Sequence, residues 1–121
     1  MILIIDDDSR NVFAMEMTLK AYGYRSLSCE TATEGLRLLN ENNRISLVLM
    51  DMMMPGMDGY EALRTIRSSS RYPDIPVIAV TAQAMTGDRE KCIQAGASDY
   101  ISKPVDVDQL LSLIRVWLYE P

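Results

Sequence analysis

Ser46-Leu47-Val48-Leu49-Met50 is a short, mostly apolar run that ends on Asp51, and the reading of that run decides the fold. Three other short runs end in polar chemistry. Ile2-Leu3-Ile4-Ile5 leads into Asp6-Asp7-Asp8, Val77-Ile78-Ala79-Val80 into Thr81, and Tyr100-Ile101-Ser102 into Lys103-Pro104. Continuous apolar runs of this length, separated by helix-length amphipathic segments, read as strands buried on both faces of a parallel sheet. Ligands of such sheets bind outside the carboxyl ends of the strands. The expected sheet therefore gathers carboxylates, a hydroxyl and an ammonium at one edge.

Working outward, a strand-helix unit repeats five times. Strands are expected at 2–6, 25–29, 46–50, 76–80 and 98–101, and helices at 9–22, 31–42, 59–69, 84–95 and 106–119. The punctuation agrees: Gly23, Asn42-Asn43, Ser68-Ser69-Ser70 with Pro73, and Gly96 close the first four helices. Asp8 or Ser9 suits the N-cap of the first helix and Asp106 that of the last. Alternation of this kind implies right-handed crossovers, with helices on both faces of an α/β sheet. Arg25, Ser26 and Ser28 make the second strand partly polar, as an edge strand is.

The 121 residues fit a single domain over 1–121, with no Pro/Ser/Gly-rich linker. Twelve basic residues against 17 acidic ones give a formal charge of -5, and no basic cluster forms a phosphate-backbone footprint. Direct nucleic-acid binding is not expected. The apolar stretch around Leu47–Met54 falls far short of the roughly 20 residues a membrane helix needs, and no leader precedes the first strand. The expectation is a soluble, cytoplasmic protein with no membrane insertion. Cys29 and Cys92 lack metal-ligand spacing and read as small buried hydrophobes; the methionines at 50, 52, 53, 54 and 57 read as fillers of core gaps and loop contacts, with no second soft ligand nearby.

Taken in order, Asp6-Asp7, Asp51 followed by Met54-Pro55-Gly56-Met57-Asp58-Gly59, Thr81-Ala82, and Tyr100 with Lys103-Pro104 resemble the receiver domain of two-component response regulators over the whole chain. The resemblance implies a flavodoxin-like, doubly wound (βα)5 sandwich with a five-stranded parallel sheet of order 2-1-3-4-5. Ser9-Arg10-Asn11-Val12-Phe13-Ala14 and Lys103-Pro104-Val105-Asp106 onward most resemble receivers of hybrid histidine kinases.

The residue types suit the chemistry that family performs. A carboxylate can attack phosphorus and form an aspartyl phosphate, and Asp51 is the candidate phosphoacceptor. Magnesium takes oxygen ligands, one or two carboxylates and several waters, which suits Asp7 and Asp51 as direct ligands, with manganese as an alternative. By resemblance Asp6 acts through water and the backbone carbonyl of Met53 supplies another ligand. Lys103 offers a point charge and Thr81 a hydroxyl donor to the phosphoryl oxygens. The chain has no histidine, so the phosphohistidine donor belongs to a partner, a histidine kinase or a histidine phosphotransfer domain.

The resemblance also implies a switch. A phosphoryl group brings about −1.5 to −2 charges beside Thr81, and movement of Thr81 lets Tyr100 turn inward. The surface that changes comprises the fourth helix, fifth strand and fifth helix, which also offers a face for a homodimer. Met53 and Gln83 are the expected controls of dephosphorylation, Gln83 having an amide able to orient water.

Rival readings fit less well. A haloacid-dehalogenase-like phosphatase needs a second Asp two residues after the nucleophile, where this chain has Met53. A flavin carrier needs a phosphate loop after the first strand, where three carboxylates would repel it. A phosphorylation-independent pseudo-receiver scaffold stays open as the alternative. On the first helix, Ala14, Met15, Thr18, Leu19 and Tyr22 are the expected core stripe, which leaves Val12, Phe13 and Met17 as a second apolar set near the acids. That set is a candidate docking patch for the partner helix.

Overall fold

The computed structural model describes residues 1–53, 58–82 and 87–118. In chain order the elements are β1 (Ile2–Ile5), α1 (Ser9–Ala21), β2 (Ser26–Cys29), α2 (Ala32–Glu41), β3 (Leu47–Asp51), α3 (Gly59–Ser68), β4 (Val77–Thr81), α4 (Asp88–Ala95), β5 (Asp99–Ser102) and α5 (Val107–Leu118). The strands form one parallel sheet of order β2-β1-β3-β4-β5, the doubly wound, flavodoxin-like arrangement expected from the sequence. The sequence placed β3, β4 and β5 one residue too early, so Asp51 and Thr81 are the last residues of their strands. For α4 the expected start at 84 lies outside the described residues.

The apolar runs are continuous because both sheet faces are covered. Leu3, Ile5, Val48, Met50, Val77 and Ala79 point into one core with Leu39 of α2, Leu63 and Ile66 of α3 and Cys92 of α4. Ile2, Ile4, Leu47, Leu49, Ile78 and Val80 point into the other with Met15 and Leu19 of α1 and Leu110 and Ile114 of α5. Strand side chains alternate between faces, so only a run that is apolar throughout satisfies both. β2 lies at the edge and is half-buried along its length, which is why its serines are tolerated.

Helix ends follow local chemistry. Asp8 caps α1 by accepting from the backbone N–H of Arg10 at 3.0 Å, and Thr31, Asp58 and Asp106 cap α2, α3 and α5 in the same way. Gly96 closes α4 at φ 119°, a conformation that a side chain strains.

The core stripe of α1 needs correction. Met15 and Leu19 are buried and Val12 packs against the same core, but Ala14 is exposed and Tyr22 is 54% exposed beyond the helix end. The true stripe, 12-15-19, follows the i, i+3, i+7 rhythm; it keeps Met15 and Leu19 of the expected one, adds Val12 and loses Ala14 and Tyr22. Phe13 and Met17 do lie off the core, 67% and 54% exposed, whereas Val12 is half-buried and is not a free member of that patch.

Candidate functional site

Parallel pairing delivers the functional side chains to one edge. Ile5 pairs with Met50, Asp51 with Val80 and Thr81 with Ser102, so the residues at and just past these strand ends are neighbours. Asp6 follows β1 and is 1% exposed; Asp51 and Thr81 are also buried, and Asp7 is exposed. Lys103 follows β5, anchored where its backbone N–H donates to the carbonyl of Thr81 at 2.7 Å, and its peptide bond to Pro104 is cis.

One oxygen from each of Asp6, Asp7 and Asp51 lies within 4.8 Å of the others. Lys103 Nζ sits between two of these acids, 3.3 Å from Asp6 Oδ2 and 3.4 Å from Asp51 Oδ2. The backbone N–H of Met53 donates to Asp51 Oδ1 at 2.9 Å, and that of Asp8 to Asp6 Oδ1 at 2.8 Å. Asn11 Nδ2 donates to Asp6 Oδ2 at 2.6 Å.

The electrostatics express a crowded acid site. Burial pushes the Asp51 carboxyl above its ordinary range and the Asp6 charge adds to that, while the Met53 N–H and Lys103 oppose it. Burial works against the Lys103 charge, yet the carboxylates of Asp51 and Asp6 outweigh it and hold the ammonium above its ordinary value. Three acids at this separation repel unless a cation joins them. Their donor set is hard oxygen, the kind magnesium takes, and exposed Asp7 leaves a side open to water.

The structure thus brings together Asp6, Asp7, Asp51 and Lys103, and places Thr81 at the end of the neighbouring strand. Met53 follows Asp51 with its side chain exposed. Tyr100 is half-buried against the core, and burial raises its hydroxyl pKa, helped by nearby Asp88 and Cys92. Phe13 lines a cleft of about 380 Å³ beside Asp6, between α1 and the end of β2. Gln83 and the motif residues Met54 to Met57 lie outside the described residues. Cys92 is buried as its reading asked, whereas Cys29 is only half-buried, enough for burial to push its thiol up to about 11. The sequence reading gave Asn11 no role of its own; it appeared only within the stretch Ser9 to Ala14 that resembles receivers of hybrid histidine kinases, as an amide in the first turn of the helix after the acidic pair.

Comparison with known proteins gives a consistent result. The response regulator receiver domain family matches residues 2–115. The polar-differentiation response regulator DivK of Brucella anthropi is 35% identical over 117 residues, 97% of this chain and 94% of that protein. The receiver domain of a sensor histidine kinase from Pseudomonas aeruginosa, solved with a magnesium ion in its active-site cleft, superposes with a TM-score of 0.86 at 37% identity, covering 96% of this chain and 94% of that one. The receiver domain of a histidine kinase from Syntrophus aciditrophicus gives a TM-score of 0.87 at 30% identity, covering 97% and 88%.

Proposed function

The chain belongs to the response regulator receiver domain family, the phosphoryl-accepting switches of two-component signalling, and from that premise we propose that Asp51 is its phosphoacceptor. The observation that carries this is the meeting of Asp51 with Asp6, Asp7 and Lys103 at the carboxyl edge of the sheet. A carboxylate oxygen of Asp51 forms a bond to phosphorus as the P–N bond of a partner's phosphohistidine breaks. The electron pair stays on the imidazole nitrogen, which takes up a proton from water.

Asp6, Asp7 and Asp51, with the Met53 carbonyl, are the residues that would hold magnesium. When bound, the ion supplies positive charge against the phosphoryl oxygens. Lys103 adds a second positive charge, already beside Asp51, and the Thr81 hydroxyl adds a donor. Placing these groups beforehand is most of the catalysis such a transfer needs.

Output runs through the Thr81/Tyr100 pair. Tyr100 packs beside α4, whose sole buried residue among those described is Cys92, so a turn of the tyrosine repositions a lightly anchored helix. Ile93, Val116 and Trp117 leave apolar surface on α4 and α5, which supports a partner or a second copy docking there. The donor partner is a histidine kinase or phosphotransfer domain, received by Phe13 and Met17 of α1. No helix among the described residues is long and apolar enough to cross a membrane.

Intact mass after acetyl phosphate treatment with magnesium tests the assignment. The native chain should gain one phosphoryl group and Asp51→Asn none. An undiminished phosphorylated peak in the variant moves the acceptor elsewhere, and no peak in the native chain favours a scaffold that works without phosphorylation.

A further inference from the structure

Asp6 has both carboxylate oxygens engaged. Oδ1 accepts from the Asp8 backbone N–H, while Oδ2 receives two donors, Lys103 Nζ at 3.3 Å and Asn11 Nδ2 at 2.6 Å. Asn11 lies in the first turn of α1, where its own backbone N–H points at the capping carboxylate of Asp8, 3.5 Å away. Its amide therefore reaches Asp6 from a fixed turn. Nothing in the transfer described above uses it.

The sharing of one oxygen between an amide and an ammonium has a consequence. Lys103 is held by two carboxylates, at 3.3 Å from Asp6 and 3.4 Å from Asp51, so a turn toward a phosphoryl group on Asp51 would loosen its hold on Asp6. A buried carboxylate that loses its cation needs another donor. Asn11 is that donor, and being neutral it leaves the charge of Asp6 intact for a metal ion. We propose that Asn11 is a positioning residue of this site, its amide holding Asp6 Oδ2 so that Lys103 can turn from Asp6 to a phosphoryl group on Asp51. The inference rests on the phosphoryl-accepting reading given above.

The position of the amide suits this role. Asn11 lines the cleft of about 210 Å³ between α1 and α5 together with Pro104 and Val105, the residues that follow Lys103. Amide and lysine thus approach Asp6 from neighbouring segments. A leucine at position 11 removes the donor and leaves Lys103 as the principal partner of Asp6 Oδ2.

Two affinities of the full chain separate this role from simple support of the fold. Magnesium alone and fluoroberyllate at saturating magnesium, an inert stand-in for the phosphoryl group, are titrated by thermal melting. Asn11→Leu should bind magnesium within about twofold of the native chain but fluoroberyllate about tenfold more weakly, the scale of one hydrogen bond to a charged group. Asn11→Gln, which restores an amide, should recover most of that loss. Should the leucine variant fail to fold, Asn11→Ala is read in the same way. Native-like fluoroberyllate affinity in the donor-less variant overturns the proposal. So does a parallel loss of both affinities, or a glutamine variant no better than leucine. A native chain that binds magnesium but no fluoroberyllate overturns the phosphoryl-accepting reading itself, and this inference with it.

Discussion

Lys103 Nζ stands 3.4 Å from Asp51 Oδ2, reaching from the loop after β5 to the last residue of β3. The pair answers only part of the repulsion in the site, since burial and Asp6 together still keep the Asp51 carboxyl above its ordinary range. Asp51→Asn removes one of the clustered charges and leaves Lys103 its contact with Asp6. Without metal, the variant should be as stable as the native chain or more so, by up to about 1 kcal/mol. Urea unfolding in the presence of a chelator measures it. A loss of stability would mean that the attraction between Lys103 and Asp51 outweighs the crowding.

Magnesium should stabilise the native chain by mass action, by about 2.7 kcal/mol at a hundredfold excess over its dissociation constant. Asp7 is the exposed member of the acidic trio and the one with the most room for a hydrated ion. Asp7→Ala should lose most of the stabilisation. Thermal melts of both proteins with and without millimolar magnesium decide it, and equal shifts would remove Asp7 from the ligand set.

Arg67 ties the opposite edge of the molecule together. Its guanidinium donates to the carbonyls of Gly96 at 2.8 Å, Pro73 at 3.0 Å and Ile75 at 2.6 Å, joining α3 to the loops that enter β4 and β5. Burial lowers its pKa, so the charge is held there at a cost that the carbonyls offset. Arg67→Met keeps the aliphatic stem and strands those acceptors. Unfolding free energy should fall by about 2–4 kcal/mol, with acetyl phosphate labelling of the remaining folded protein intact. A change below about 0.5 kcal/mol would show that water replaces the guanidinium.

Arg67 and Asn11 also mark where the sequence stops being legible. β1, β3 and β4 could be read because burial on both faces forces an uninterrupted apolar run, and a polar residue at the end of such a run stands out. Asp6, Asp7, Asp51 and Thr81 were legible for that reason, whereas Lys103 follows the half-buried β5, which is no such run, and was read from the Lys103-Pro104 step of the family motif. The bond from Arg67 to Gly96 spans 29 positions and follows no periodicity, so no local pattern announces it. Asn11 reaches only five residues back, but a half-exposed amide on a first turn looks like any surface residue until the strand end beside it is placed. The core stripe of α1 was right at Met15 and Leu19 but too broad, because Ala14 and Tyr22 are apolar enough to pass for core, although the helix turns one outward and ends before the other.

Phe13 gives the sharpest prediction about the donor. It is 67% exposed, with Met17 one turn further along α1 and also largely exposed, and it lines the cleft next to Asp6. Single exposed apolar residues are ordinary. A pair at i and i+4 beside the candidate acceptor is what a partner helix would need in order to bring its phosphohistidine within reach of Asp51, since contacts next to a reacting centre fix its orientation. Phe13→Ala removes the larger contact at a residue that is 67% exposed. Transfer from a phosphorylated protein donor should slow by about tenfold, while labelling by acetyl phosphate, which needs no docking, should stay within about twofold of the native rate. Equal losses with both donors would point to a disturbed site, and no loss with either would take Phe13 out of the interface.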